Sequence, residues 1–546
     1  MWKRHPKALP FLFFSEMWER FGFYLILGIF TFYLKDAVDG FGMDEKESAT
    51  LYGTFIALIY FTPFLGGLLA DRVLGYRRSI ILGGVLMGVG YCLMSIHSIA
   101  MLYTAMTLII LGNGFFKPNI STLLGNVYST AQYEKQKDEG YNIFYMGINV
   151  GAFVCNFFGA ALYTTIGWGA AFIAAGIGMF IGVVIFLIGT RHYKAYDIRK
   201  PLKPGDMPLW KIFTIVVLPC IIFGAIGYFI AGDGSIFDSK STDAFIFACI
   251  PVTVFYAALW LRSPKEERAP MAALLSIFAV VILFWAIFKQ NGSALNTWAS
   301  RYTERHVSGT SGDILSALKQ TDTIFYKKDS MILLDNQFRK IKENGAEVKG
   351  YDYPSYFKNM NFKKDPVQDG GYVKTWVASL SQSINPFWVI VLTPLVVAFF
   401  TWLRRKGKEP ATPTKIALGL LISALSVMVM VAAVKAGGNG AEKVSVWWLI
   451  ASYGVITIGE LFLSPMGLSL VSKLSPQRIT ALMMGGWFLS TSIGNKLSGI
   501  LSSKWDQYDD KASYFWLNFV LLFAAALFLF LILRWLNRVM KARGVD

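Results

Sequence analysis

Six ionisable side chains, Glu16, Glu19, Arg20, Lys117, Lys289 and Glu460, sit deep inside long apolar runs of this chain. Three are acids and three are bases. Each charge near the centre of a bilayer costs roughly 3 kcal/mol, so six left unpaired in lipid would cost about 18 kcal/mol. A folded domain is stable by only about 5–15 kcal/mol. The charges must therefore face one another or a shared aqueous cavity. Glu16, Arg20 and Tyr24 recur at helical spacing and share one face. The neighbouring face, Phe13, Met17, Phe21 and Leu25, is apolar. A structural ion-pair lock between helices is one reading, and a solute or proton site is the other. For ionisable groups at membrane depth the second is favoured. Arg20 and Lys117 on one wall would hold a carboxylate. Glu460 on the opposite wall would hold an ammonium group, so the set suits a zwitterion. A carboxylate kept from water also takes up a proton, which makes a glutamate here a candidate proton carrier.

The elements that position these groups are membrane spans. Hydrophobic residues make up 54% of the 546 and charged residues 16%, against about 25% charged in soluble chains. The apolar runs are long and continuous, which excludes a transmembrane β-barrel with its short alternating segments. Spans are expected at about 11–35, 49–70, 79–97, 101–128, 141–163 and 170–190. Two more follow at about 210–231 and 243–262, with no motif-like polar groups, and read as a peripheral hairpin with a packing role. Six further spans begin at about 270, 384, 414, 446, 480 and 513. The six-two-six count fits two six-helix bundles of the major facilitator layout. The fold class is thus all-α transmembrane, with domains at 1–192 (first bundle), 193–268 (linker and hairpin), 269–300 (first helix of the second bundle), 301–383 (a polar, soluble insertion) and 384–546 (the rest of the second bundle). The insertion is expected on the outer side.

The net charge of +17 comes from basic residues clustered in short loops, such as Arg77-Arg78, Arg191 to Lys203 and Arg404 to Lys408. That is the positive-inside pattern, so both termini are expected in the cytoplasm and no nucleic-acid partner is expected. Lys3, Arg4 and Lys7 precede a first span without a small-residue cleavage site, which reads as a retained span. Cys92, Cys155, Cys220 and Cys249 lie in apolar runs without metal-ligand spacing and read as small buried hydrophobes. No metal or cofactor is expected. No nucleophile–base constellation is evident, and His5, His97, His192 and His306 fall in loops, at span ends or in the insertion, so an enzyme is not expected. Lys496 is expected to snorkel from the outer end of its span.

Glu16-x-x-Glu19-Arg20-Phe21-x-x-Tyr24 resembles the first-helix signature of the proton-coupled oligopeptide transporters, a major facilitator branch. Asp71-Arg72…Gly75, Phe144-Tyr145…Ile148-Asn149…Gly151, Gln382-Ser383-Ile384-Asn385-Pro386 and Gly459-Glu460-Leu461…Ser464-Pro465 match the family in the same order. The resemblance covers the chain outside 300–380, and the extra hairpin is similar to that of bacterial members with fourteen helices. It implies import of di- and tripeptides driven by the inward proton gradient; a monomer in the cell inner membrane, with peptide, protons and bilayer as its partners, is expected. It assigns Arg20, Tyr24 and Lys117 to the peptide carboxylate, and Asn149, Asn385 and Glu460 to the amino terminus and backbone. It assigns Glu16, Glu19 and Arg20 to proton coupling, and Tyr60 and Trp487 to the pocket wall.

Three positions depart from the family pattern. Leu27 stands where the family has an arginine, Lys289 where it has an acid before Gln290, and Phe23 where it has a tyrosine. The first two family groups bridge the bundles, and both ends have changed together here. Lys289 is therefore expected to pair with Glu16 or Glu19 from the opposite bundle. The alternative function is a carrier of another small zwitterion or anion on the same scaffold, with altered proton coupling. A receptor whose insertion binds a ligand is disfavoured, because such a scaffold has no use for a buried charge set.

Overall fold

The computed structural model describes residues 4–130, 132–133, 136–198, 208–363, 366–475 and 480–543. The first bundle consists of α1 (Ala8–Lys35), α2 (Glu45–Leu69), α3 (Tyr76–Leu93), α4 (Ile99–Tyr128), α5 (Lys137–Thr165) and α6 (Trp168–Gly189). The hairpin follows as α7 (Leu209–Ile212), a π-helical turn and α8 (Leu218–Phe229), then α9 (Lys240–Arg262). The second bundle opens with α10 (Lys265–Phe288), which continues through a 3-10 turn into α11 (Ala294–Arg301). After the insertion it resumes with α13 (Ile384–Arg405), α14 (Thr412–Ala436), α15 (Trp447–Leu474), α16 (Thr480–Ser503) and α17 (Lys511–Lys541). Among the described residues, ten helical segments are long and apolar enough to cross a membrane. The helix α1, which carries Glu16, Glu19 and Arg20, is not one of them. It packs against α5 and α6.

Local signals set the helix ends. Asp44 and Glu47 form a reciprocal capping box at the start of α2. Asp197 accepts from the Tyr76 and Arg77 amides, 2.7 and 3.3 Å away, and so places an anion at the α3 N-terminus. The side chains of Asp71 and Arg72, and Arg199, Lys200 and Lys203, lie outside the described residues.

Each bundle has its own hydrophobic core. One is built around Phe30, Phe55, Tyr76, Tyr91 and Tyr128, the other around Phe284, Trp298, Tyr453, Trp505 and Tyr514. The bundles meet where α2 packs on α16 and α5 on α13. At the α2–α16 crossing the backbones touch so closely that a Cβ on Gly53 would lie 2.6 Å from Gly499 Cα. Glycine at both positions permits that approach. The hairpin lies alongside, with α9 against α2 and α10.

The insertion contains α12 (Gly309–Ala317) and six short strands, β1 (Thr321–Phe325), β2 (Asp329–Ile332), β3 (Lys342–Glu343), β4 (Ala346–Glu347), β5 (Lys349–Asp352) and β6 (Tyr372–Trp376). They pair antiparallel as β1 with β6, β2 with β5 and β3 with β4. The β3–β4 turn is Asn344-Gly345, both at positive φ, which is the two-residue hairpin preference. A small core of Tyr356, Phe357, Met360 and Val373 holds the insertion together. It is pinned to the first bundle as well as the second. Gln320 Nε2 donates to the Phe157 carbonyl at 3.0 Å, and Lys340 Nζ donates to the Gly42 carbonyl at 2.6 Å.

Candidate functional site

The i, i+4 spacing on α1 brings Arg20 and Glu16 into contact. Arg20 Nε donates to Glu16 Oε1 at 2.8 Å and lies 2.8 Å from Glu19 Oε2. All three residues are buried. One guanidinium thus serves both acids, Glu16 through a hydrogen bond and Glu19 through an ion pair. Glu16 Oε2 and both Glu19 oxygens are left without a hydrogen-bond partner. Two carboxylates against one guanidinium leave a net negative charge out of water, and one added proton would cancel it.

Lys117 on α4 is turned to Tyr60 on α2, its Nζ 4.0 Å from the ring centroid. Lys289 approaches the same ring from the second bundle, at 5.4 Å, and is buried among Tyr60, Trp285 and Phe288. The expected pairing of Lys289 with Glu16 or Glu19 is not what forms. Those acids pair with Arg20, and Lys289 reaches across the bundles to an aromatic ring. The reason is geometric: Arg20 is covalently held one helical turn from Glu16, whereas Lys289 sits beyond Tyr60.

On the other wall, Asn385 Nδ2 donates to Thr457 Oγ1 at 2.9 Å and to Glu460 Oε2 at 3.3 Å. Asn385 thereby fixes one oxygen of Glu460 and orients the carboxylate. Lys289 is within electrostatic reach of Glu460. Asn149 on α5 donates back to the Tyr145 carbonyl at 2.9 Å, which steadies its amide. Tyr24 faces the same space, with Arg20, Tyr60, Tyr145 and Glu460 near its hydroxyl.

Arg20, Tyr24, Tyr60, Lys117, Lys289 and Glu460 thus share one region between the bundles. Trp487 does not stand free beside them. It is buried in the second core, against Phe278 and over Gly467. Phe23 and Leu27 are buried too, and Phe23 stacks near the Arg20 guanidinium at 5.6 Å. Thr457 and Tyr91 escaped the sequence reading, and Tyr145 entered it only as part of a motif, without a role. Thr457 is the first partner of Asn385. Tyr145 is exposed beside Asn149. Tyr91 on α3 has a buried, unpartnered hydroxyl near Glu19 and Arg20. None carries a charge, so no burial cost marked it in the sequence.

One end of this region is closed. Thr31 Oγ1 donates to the Gly292 carbonyl at 2.9 Å, and Thr297 Oγ1 to Glu45 Oε1 at 2.7 Å. Ser492 Oγ donates to the Ala57 carbonyl at 2.7 Å, and Ser383 Oγ to the Phe153 carbonyl at 3.0 Å. Lys496 does not snorkel. It is buried and donates to Thr54 Oγ1 at 2.8 Å and Ser241 Oγ at 3.2 Å, tying α16 to α2 and α9. The Thr31, Thr297 and Lys496 links lie toward the end that carries the insertion, and the Ser492–Ala57 link lies mid-helix, one turn from Tyr60.

The family model PTR2, the POT family, matches residues 77–321 and 377–517. The chain belongs to the POT family. The dipeptide and tripeptide permease A of Salmonella typhimurium is 28% identical over 502 residues, which cover 92% of this chain and 84% of the permease. The di-/tripeptide transporter of Lactococcus lactis subsp. cremoris is 28% identical, over 90% of this chain and 88% of its own length. The crystal structure of a peptide transporter POT in complex with sulfate aligns at a TM-score of 0.75 with 27% identity. It covers 99% of this chain and 97% of that one. The two-bundle arrangement is therefore that of POT family structures, a multi-pass membrane carrier of the major facilitator architecture.

Proposed function

We propose that the chain is a proton-coupled symporter that imports di- and tripeptides by alternating access. The observation that carries this is the opposition of two walls: Arg20, Lys117 and Tyr60 against Glu460 held by Asn385. A peptide zwitterion has opposite charges at its two ends and fits that opposition. Lys117, Arg20 and Tyr24 would take the carboxylate; Glu460, Asn385 and Asn149 would take the ammonium end. Glu16 and Glu19, two acids on one arginine, would carry the proton. The names of the relatives support the substrate class.

The same reading puts the chain in the cell inner membrane as a monomer, with both termini cytoplasmic and the insertion outside, as the basic loops indicate. It divides the chain into 1–192, 193–268, 269–300, 301–383 and 384–546. A second reading, a carrier of another small zwitterion or anion, is favoured by one feature. Lys117 and Lys289 have no carboxylate partner among the described residues.

The test is dialanine uptake by purified protein in liposomes. An inward proton gradient should drive accumulation, and a protonophore should abolish it. Uptake indifferent to the gradient would remove symport. Uptake that acetate or succinate competes as well as trialanine does would move the assignment to the second reading.

A further inference from the structure

At the insertion end, a cavity of about 290 Å³ lies between the end of α1, α11 and the insertion. Its lining includes Lys35, Asp36, Arg301, Arg305 and Tyr356. One water requires about 10–15 Å³ measured in this way, so the space takes a small molecule. Arg305 is only 7% exposed. Its Nη1 donates to the Trp376 carbonyl at 2.7 Å, which fixes the guanidinium between the Tyr356 and Trp376 rings, 5.4 and 5.9 Å away. Its Nε is buried and has no partner. Arg301 Nη1 is likewise buried without a hydrogen bond, 3.6 Å from Glu45 Oε2. The one acid in the lining is already engaged, since Asp36 accepts from Trp168 Nε1 at 2.7 Å and from the Val38 amide at 2.9 Å. A buried guanidinium with an unmet donor is destabilising unless an acceptor reaches it.

We infer that this cavity is a binding site for a small, free carboxylate-bearing molecule, distinct from the central site. Arg305 would hold one carboxylate oxygen through Nε, and Arg301 and Lys35 would supply the remaining positive charge. The site also bears on closure of the carrier. Lys35 and Arg301 share Glu45, and Glu45 accepts from Thr297 across the bundles. A carboxylate in the cavity competes with Glu45 for both cations, and so loosens the link that closes this end.

The test uses thermal unfolding of the full chain in detergent at fixed ionic strength, with succinate as the probe and chloride as the control. Four proteins are compared: the unaltered chain, Arg305→Gln, Arg305→Lys and Lys117→Gln. Succinate should raise the Tm of the unaltered chain and of Lys117→Gln alike, and Arg305→Gln should weaken its apparent affinity about tenfold or more. Arg305→Lys keeps the charge but loses the planar fork, and should fall between. It also serves as the variant to read if Arg305→Gln does not fold. A response that survives in both Arg305 variants, vanishes in Lys117→Gln, or requires added phosphatidylglycerol would overturn the site. So would inorganic phosphate raising Tm where succinate does not. The readout is thermal, so it stands or falls apart from peptide transport.

Discussion

Lys117 and Lys289 come from opposite bundles and stand over the same ring, Tyr60, at 4.0 and 5.4 Å. Two like charges tolerate this approach because the ring's quadrupole attracts both, and Lys289 also has the Tyr60 hydroxyl and the Glu460 charge within reach. The arrangement joins the bundles at the height of the central site.

Tyr60 should therefore matter through its ring as well as through the hydroxyl that meets Lys289. Tyr60→Leu should destabilise the protein by about 1–3 kcal/mol, while Tyr60→Phe, which keeps the ring and loses only the hydroxyl, should cost less. In a Lys117→Gln/Lys289→Gln background the gap between Leu and Phe should shrink below about 0.5 kcal/mol. Thermal unfolding of the six proteins measures it. An unchanged gap would show that Tyr60 acts by packing alone.

Glu19 lacks a hydrogen bond on either oxygen, whereas Glu16 has one from Arg20. Glu19→Gln should leave dialanine exchange largely intact and cut gradient-driven accumulation on the order of tenfold, about 1.4 kcal/mol. Glu16→Gln should impair both, since it removes a charge-assisted bond of about 1.5–3 kcal/mol that aims Arg20. Equal effects of the two substitutions on both assays would refute this division of labour.

Glu460→Gln keeps the shape that Asn385 holds and removes the charge offered to a peptide ammonium. Dialanine should bind about tenfold or more weakly, while an N-acetylated dipeptide, which lacks that ammonium, should lose little. Competition against labelled dialanine reads both.

Gly53 and Gly499 let the backbones of α2 and α16 come into contact between the bundles. Gly53→Val has no room at this crossing and should hold the insertion end apart. Spin labels at the exposed Val38 and Gln507, in a background lacking the four native cysteines, should report a longer distance than in the parent. An unchanged distance distribution would mean that α2 and α16 bear no part in closure.

Asp506 lies between α16 and α17, where burial, and next the charge of Glu45, push its carboxyl up from 3.8 to about 6. One of its oxygens is buried without a partner. Because the folded value is raised, its contribution favours the fold below pH 3.8 and is lost as pH rises through about 6. Asp506→Asn should thus stabilise the protein at pH 7.5, by about 1–3 kcal/mol, and change little at pH 3.8 or below. Tm compared across that range decides it. A gain that is the same at both ends would rule out the ionisation as its cause.

Much of the fold was legible because lipid imposes a coarse rule: spans are long and apolar. The six-two-six count, the hairpin and the polar insertion all followed from that rule. The charges of the central site were legible for the opposite reason. Glu16, Glu19, Arg20, Lys117, Lys289 and Glu460 break the apolar rule at a cost that only a shared site offsets. The neutral members Tyr91 and Thr457 left no such trace, and Tyr145 showed only as part of the Phe144-Tyr145 motif. The strands of the insertion were hidden too, because they are two to five residues long, too short for an alternation such as that of β6 to stand out in the sequence.

The amino-acid sequence by itself determined which residues cannot face lipid, and hence the membership of the site. Tertiary structure alone decided the pairings within it. A one-turn spacing gave Arg20 to Glu16 and kept it beside Glu19, so Lys289 was left to Tyr60. Spacing along one helix is a local property that the sequence carries. The distance from α10 to α1 or α2 is set by the packing of two bundles, down to the approach of Gly53 and Gly499, and no pattern within one helix encodes it.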